Sequence, residues 1–300
     1  MSYHEVKIRG RKRYNYIVHT IRAGNKWKKI RKYVGEGFLP AEKVNKELKN
    51  FEQLLVKTDY LSEGQKELIE IIRSRFFNYL KKGGGVVSEK FNEWFFTELT
   101  YNSNAIEGST AGRRETGMIL NEGIVPKNIS LRELYEAKNH KTALEYLLAY
   151  KGDINEVLIK KLHWMLMENI DDRRGRYREV PVFILGSDVK LPKHEDVPKM
   201  MKEIILWYKR NKKIHPLELV AIFSMKFVST HPFTDGNGRL SRLLMNYILK
   251  KNRYPEINIY VKDRNNYMRT VRIANDEKYA PIIDFLVRTL KKNYEFLKNE

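Results

Sequence analysis

Residues 231–242 read His231-Pro232-Phe233-Thr234-Asp235-Gly236-Asn237-Gly238-Arg239-Leu240-Ser241-Arg242. Proline at 232 disfavours helical geometry for the residue before it, so a helix arriving from the N-terminal side should stop and leave the His231 imidazole on a loop. Gly236-Asn237-Gly238 makes a tight turn that opens a second helix. Glycines let backbone approach a ligand closely, and the free N–H groups of a helix start form an anion nest. On that helix Arg239, Arg242 and Asn246 share one face, with Leu240, Leu243, Leu244 and Tyr247 as the apolar stripe behind. A base, a carboxylate, an anion nest and two guanidinium groups thus fall within twelve residues. Together they suit a triphosphate with its magnesium.

Working outward, residues 216–230 are hydrophobic nearly all round (Leu219, Ile222, Phe223, Met225, Phe227, Val228), as expected of a buried helix that delivers His231. Upstream, Tyr101-Asn102-Ser103-Asn104-Ala105-Ile106-Glu107-Gly108 places Ser103 and Glu107 four apart on one helical face, with Gly108 as a natural helix terminator. A carboxylate at the negative end of a helix dipole costs about 0.3–1 kcal/mol unless a cation compensates.

These two segments resemble a known family. Residues 231–242 are similar in full to the Fic signature His-Pro-Phe-x-Asp-Gly-Asn-Gly-Arg-x-x-Arg, and the likeness extends by pattern over roughly residues 88–297. The resemblance implies a mainly α fold, a Fic-type helical bundle with a β-hairpin flap, and an enzyme that moves AMP from ATP onto a Ser, Thr or Tyr hydroxyl of a protein. It implies His231 as the general base, Asp235 as the Mg2+ ligand, and Gly236, Asn237, Gly238, Arg239 and Arg242 as the phosphate site, with Arg242 acting towards the γ-phosphate. Phe233 becomes a buried anchor and Tyr267 a proposed neighbour of the nucleotide pocket. Ser103, Glu107 and Gly108 resemble the inhibitory motif of the class whose inhibitory helix is N-terminal, in which the glutamate pairs with the second motif arginine, here Arg242. Val182, Phe183, Ile184 and Leu185, within a stretch near 175–193, resemble the flap that docks a target segment by strand pairing. Pro181 argues for an edge there. An unaltered Gly236-Asn237-Gly238 favours AMP over the phosphotransfer of a family variant. Removal of AMP from a modified protein by the same site stays open, as do auto-modification and a homodimer.

Composition sets the frame. The chain of 300 residues has no cysteine, which excludes disulfides, thiolate metal sites and cysteine nucleophiles, and its seven histidines form no His-x-x-x-His pair. No run of about 18 apolar residues suggests a membrane span. With no signal-peptide pattern, the expectation is a soluble, cytoplasmic protein. Net charge is +20, and residues 1–35 hold half of the excess, eleven Lys/Arg against Glu5 alone. Such a block suggests an anionic partner, and a nucleic-acid-associated protein using residues 1–35 is the alternative of a different class.

The remaining elements follow from local signals. Residues 12–22 and 26–34 around Ala23-Gly24-Asn25 predict a basic β-hairpin appendage over 1–39, its second strand an exposed edge. A helical segment over 40–85 comprises a helix from Pro40 to about Val56 (Val44, Leu48, Phe51, Leu54, Leu55) and one opened by a Ser62/Gln65 capping box. Gly83-Gly84-Gly85 breaks it before a core over 86–300 whose first helix, near 88–108, carries the inhibitory motif. Ser130/Glu133 and Asp153/Glu156 predict capping boxes for helices at about 130–150 and 153–168. Further helices are expected at about 197–210, 263–275 and 279–298, and a hairpin around Gly186-Ser187-Asp188. Trp94, Phe95, Trp164 and Met167 read as core packing.

Overall fold

The structure, a computed structural model, describes residues 2–23, 26–54, 56, 58–183 and 189–299. It divides into two compact units, residues 1–71 and 72–300.

In the first unit, strands β1 (Ser2–Arg9), β2 (Lys12–Ala23) and β3 (Lys26–Glu36) form an antiparallel sheet in the order β1-β2-β3. The expected hairpin corresponds to β2 and β3; its Gly24-Asn25 turn lies outside the described residues. β1 is an additional strand, joined through Gly10 at φ 59°. Its register sets Tyr3 opposite Val18, Glu5 opposite Tyr16 and Lys7 opposite Tyr14. A register shift falls at Asn15/Tyr16, and buried Asn15 fills the irregularity by donating to the Gly35 and Gly37 carbonyls at 3.1 and 2.8 Å. Helix α1 (Ala41–Leu54) lays Val44, Leu48 and Phe51 against Ile17, Ile30, Val34 and Leu39. Leu55, read as part of that stripe, lies outside the described residues. The sheet therefore shares a core with α1.

Helix α2 (Glu63–Ile106) begins with the expected box, Gln65 N–H donating to Ser62 Oγ at 3.3 Å and Ser62 N–H to Gln65 Oε1 at 2.9 Å. Gly84, at φ 65° and ψ −157°, breaks it within the triple glycine. The second unit continues through α3 (Arg113–Gly117), a π-helical turn at Met118–Glu122, α4 (Leu131–Ala149), α5 (Glu156–Leu166), α6 (Val197–Arg210), α7 (Pro216–Thr230), α8 (Asn237–Lys251), α9 (Arg264–Ala274) and α10 (Ala280–Asn293). At its centre α7 packs on α8, flanked by α4, α5, α6 and α10. Leu240, Leu243 and Leu244 are fully buried, and Tyr247 nearly so.

Three expectations need correction. The Ser130/Glu133 box caps α4, but α5 is capped by Asn155, whose Oδ1 accepts from Leu158 N–H at 2.8 Å. Asp153 is drawn away instead by Lys212, Lys251 and the Tyr208 hydroxyl. Phe95 and Met167 are core, whereas Trp94 and Trp164 stay half-exposed, Trp164 lying under the Arg174 guanidinium at 4.4 Å. Among the described residues near 175–193 there is no strand; Ile184, Leu185 and Gly186-Ser187-Asp188 lie outside them. What joins the two arms there is a side chain, Arg178, which donates to the carbonyls of Val180 and Pro192 at 3.5 and 2.6 Å.

Candidate active site

Helix α7 ends at Thr230: the following proline disfavours helical geometry at His231, which takes instead the left-handed conformation, φ 47° and ψ 62°. Its own N–H still closes on the Phe227 carbonyl at 3.1 Å, while its carbonyl accepts Arg178 Nε at 2.8 Å. Burial, with the Arg178 charge second, pushes the His231 pKa below the ordinary histidine range. The imidazole is therefore neutral at pH 7 and able to take a proton.

Residues 233–237 are held from inside. Phe233 is fully buried and stacks flat on His163, centroids 3.7 Å apart and planes 6° from parallel. His163 accepts Gly175 N–H at Nδ1 (2.8 Å), so its Nε2 carries the proton and donates to the Asp235 carbonyl at 3.1 Å. Burial lowers its pKa to about 4, which keeps that tautomer. The Asn237 side chain bonds both backbone groups of Phe233, at 3.0 and 2.9 Å. Asn237 thus spends its amide on the loop, leaving only its backbone for a ligand. Gly236 adopts φ 75°, and a Cβ there would come within 2.9 Å of Met167 Sδ; glycine is required on both counts.

Asp235 sits at the edge of this turn with a partly exposed carboxylate. Oδ1 accepts Gly236 N–H at 2.5 Å and lies 3.3 Å from Arg239 Nη2, and Oδ2 pairs with Arg132. Burial would raise its pKa, but Arg239, the Gly236 N–H and Arg132 outweigh that and lower it. Arg239 itself is buried and reaches Glu136 at 3.1 Å. A cleft of about 510 Å³ opens beside Asp235, lined by Arg132, Asp171, Asp172, Arg173 and Thr234.

Arg242, one turn further along α8 and also buried, points to the end of α2. Nε donates to Ser103 Oγ at 3.0 Å, and Nη2 donates to the Ser103 carbonyl and to Glu107 Oε1, both at 2.8 Å. Glu107 Oε1 also lies directly over Gly238, only 2.1 Å from where a Cβ would stand. The α2 end is closed by Gly108 at φ 105°, with Ser109 N–H on the Asn104 carbonyl at 3.1 Å. Arg264 donates to the Ile106 carbonyl at 2.8 Å, a cation at the helix end that offsets the dipole. Tyr267 is buried with Arg242 and Glu107 as charged neighbours.

The residues singled out from the sequence in 103–108 and 231–242 therefore converge on one end of α8. Val182 and Phe183 do not join them; Phe183 is 94% exposed. Asn246, on the face shared with the two arginines, pins the chain at Ile257 by two bonds of 3.0 and 2.7 Å. Sequence reading missed Arg132, Glu136, His163 and Arg178. Only Arg132 and Glu136, four apart on α4, carried a local signal, and it pointed to each other rather than to Asp235, 103 residues away.

Comparison with known proteins gives the same direction. Residues 153–249 match the Fic/DOC family model. The chain is 31% identical over 262 residues to the protein adenylyltransferase Fic of Nematostella vectensis, covering 83% of this chain and 59% of that protein. It is 30% identical over 222 residues to protein adenylyltransferase fic-1 of Caenorhabditis elegans, covering 71% and 42%. The chain thus spans only about half the length of these relatives. Among solved structures, a Fic domain containing signaling protein from Bacteroides thetaiotaomicron superposes with a TM-score of 0.69 at 25% identity, covering 77% of this chain and 96% of that one. Fic-1 from C. elegans gives 0.69 at 26%, covering 86% and 77%. Residues 153–249 of the chain are thus a Fic/DOC family domain.

Proposed function

We propose that the chain transfers AMP from ATP to a hydroxyl of a protein side chain and that Glu107 restrains it. The observation carrying this reading is the placement of a neutral His231 and of Arg242 at one glycine turn, with the Glu107 carboxylate lying over Gly238. In the reaction His231 takes the proton of the acceptor hydroxyl, the oxygen attacks the α-phosphorus of ATP, and the bond to the β-phosphate oxygen breaks to release pyrophosphate. The nest at Gly236–Gly238 holds phosphate oxygens on backbone N–H groups, and Arg242 holds the terminal phosphate once Glu107 has left it. Arg239 acts from below by holding Asp235.

Magnesium fits this donor set. Among the described residues no cluster of three or more His, Asp or Glu groups stands ready for a metal. Asp235 offers one accessible carboxylate beside the phosphate nest, and Mg2+ is commonly bound by one or two carboxylates together with substrate phosphates and water. When bound, the ion would neutralise charge on the phosphates. Asp235, whose Oδ2 pairs with Arg132, would be the residue to hold it, while Glu136 keeps Arg239 in place.

The test is mass spectrometry of the chain and of Glu107→Gly after incubation with ATP and magnesium. Addition of one AMP to a Ser, Thr or Tyr of the chain or of an added protein supports transfer. A phosphoryl adduct in its place, or no adduct in either protein, overturns it. Among the described residues no helix is long and apolar enough to cross a membrane.

A further inference from the structure

His231 stands in the left-handed region at φ 47°, which is costly for a residue with a side chain and persists only where its surroundings hold it. Its N–H is fixed by α7, through the Phe227 carbonyl. Its own carbonyl is fixed by Arg178, whose Nε donates to it at 2.8 Å. The same guanidinium donates to the carbonyls of Pro192 at 2.6 Å and Val180 at 3.5 Å. One planar fork thus ties the His231 backbone to both arms of the segment that follows residue 178. Lysine, a point charge on a flexible stem, has no such fixed plane of donors.

The backbone around Arg178 is secured without this side chain. Arg178 N–H donates to the Pro232 carbonyl at 2.9 Å, Tyr177 packs on Phe233 with ring centroids 5.4 Å apart, and Gly175 N–H is on His163. The guanidinium is therefore not needed to place its own stretch of chain. Nor does it neutralise an acid. It is buried, and among the described residues it forms no ion pair; burial lowers its pKa against the pull of Glu195. A buried cation bonded to carbonyls keeps its full charge, an arrangement that is costly to maintain. That charge acts on His231.

We propose that Arg178 is a positioning residue for the base, its guanidinium fixing the His231 backbone to the two arms at Val180 and Pro192. The inference rests on the reading of His231 as the base of AMP transfer. The fork acts first through geometry: by holding the His231 carbonyl it sets the direction in which the ring leaves the backbone, and so its approach to an acceptor hydroxyl. It acts second through charge, disfavouring a further proton on the ring. Glu107, Asp235 and the Val228 carbonyl work the other way, and burial adds to the effect of Arg178. Exchange of Arg178 for a neutral side chain therefore leaves the ring facing two carboxylates with no opposing cation at this position.

The experiment compares the full chain with Arg178→Gln and Arg178→Lys. His231 is titrated by NMR on isotope-labelled histidine without nucleotide, its signal assigned by its loss in His231→Gln. Transfer is measured over a pH series in the Glu107→Gly background. Arg178→Gln removes both fork and charge, so the His231 titration should move upward and the acid limb of the pH–rate profile should follow it. In that variant kcat should fall by roughly tenfold or more, a share of the about 10²–10⁴-fold that a placed base contributes. KM for ATP should stay within about twofold, because the lost interaction serves the transition state and not nucleotide binding. Arg178→Lys keeps the charge without the fork: its His231 titration should stay near the parent's while kcat still falls. If Arg178→Gln does not fold, the lysine variant decides alone, and a parental kcat there overturns the proposal. So does an unmoved His231 titration in Arg178→Gln, or a loss that appears in KM for ATP with kcat unchanged. If none of the proteins transfers AMP, the reading of the site fails, and the titration still decides whether Arg178 governs His231.

Discussion

Replacing Glu107 by glycine is the perturbation whose size the structure best constrains. Its carboxylate makes one charge-assisted bond to Arg242, at 2.8 Å, and lies over Gly238. For the terminal phosphate to reach Arg242, that bond must be given up. Hydrogen bonds to charged groups contribute about 1.5–3 kcal/mol net, and each 1.4 kcal/mol is tenfold in an equilibrium. Glu107→Gly should therefore raise AMP incorporation by roughly ten- to hundredfold at subsaturating ATP. Arg242 keeps its two bonds to Ser103 in this variant, so the fold should survive with a modest drop in melting temperature. The assay is covalent label from ATP labelled at the α-phosphate, counted at equal folded protein. In Glu107→Gly with Arg242→Ala the gain should vanish, because the freed group is gone. A lower melting temperature with no gain in label would mean that Glu107 serves only to neutralise a buried arginine. A gain that survives loss of Arg242 would place the obstruction at Gly238 instead.

His231→Ala should abolish transfer while leaving ATP affinity within about twofold, measured by calorimetry, because the base acts on the acceptor and not on phosphate. In the parent, the lowered His231 pKa means that activity stays flat through neutral pH and falls only as the solution becomes acidic enough to protonate the ring, below the ordinary histidine range. Asp235→Ala should remove the effect of magnesium on ATP binding, and an unchanged magnesium effect would move the metal elsewhere. Asn237→Ala deletes two bonds to Phe233 and should cost about 2 kcal/mol in denaturant unfolding, with loss of ATP binding as the turn relaxes; full ATP affinity would show the turn to be self-supporting. Burial holds His163 at about 4 and His140 at about 3, below the ordinary 6.5. The unfolded chain then takes these protons first, so stability is complete above pH 6.5 and is lost as pH falls towards those values, by on the order of 3 kcal/mol for His163. Melting temperature should drop between pH 7 and 5, and His140→Gln should flatten that drop.

What was legible in the sequence was local chemistry. Proline after His231, two glycines around Asn237, and the Ser62/Gln65 and Ser130/Glu133 spacings each act over four residues or fewer, and each has the expected backbone. Asp153 misled because two lysines, nearly 60 and 100 residues later, compete for it while Asn155 takes the cap. β1 was missed because its exposed Ile8 and Arg9 and half-buried Val6 lack a strong two-residue period; its partner strand defines it. His163 offered no pattern at all, being one histidine on an apolar helix face.

The harder lesson lies in α8. A shared helical face suggested that Arg239, Arg242 and Asn246 all look towards a ligand, but α8 is buried from Arg239 to Leu249. Polar groups on such a helix must find protein partners, since an unpaired buried charge is costly. Asn246 found Ile257, and Arg239 found Glu136 beneath the turn. These partners differ in accessibility, and that difference separates scaffold from switch. The Glu136 side chain is 9% exposed, so water and ligand hardly reach its pair with Arg239. The Glu107 side chain is 32% exposed and sits over the glycine turn, where a phosphate could take its place without leaving Arg242 unpaired. Exchange of one anion for another keeps the buried guanidinium neutralised throughout. Of the two motif arginines, Arg242 is thus the one whose carboxylate partner lies within reach of solvent, and Arg239 the one that is held beneath the turn with Asp235 and Glu136.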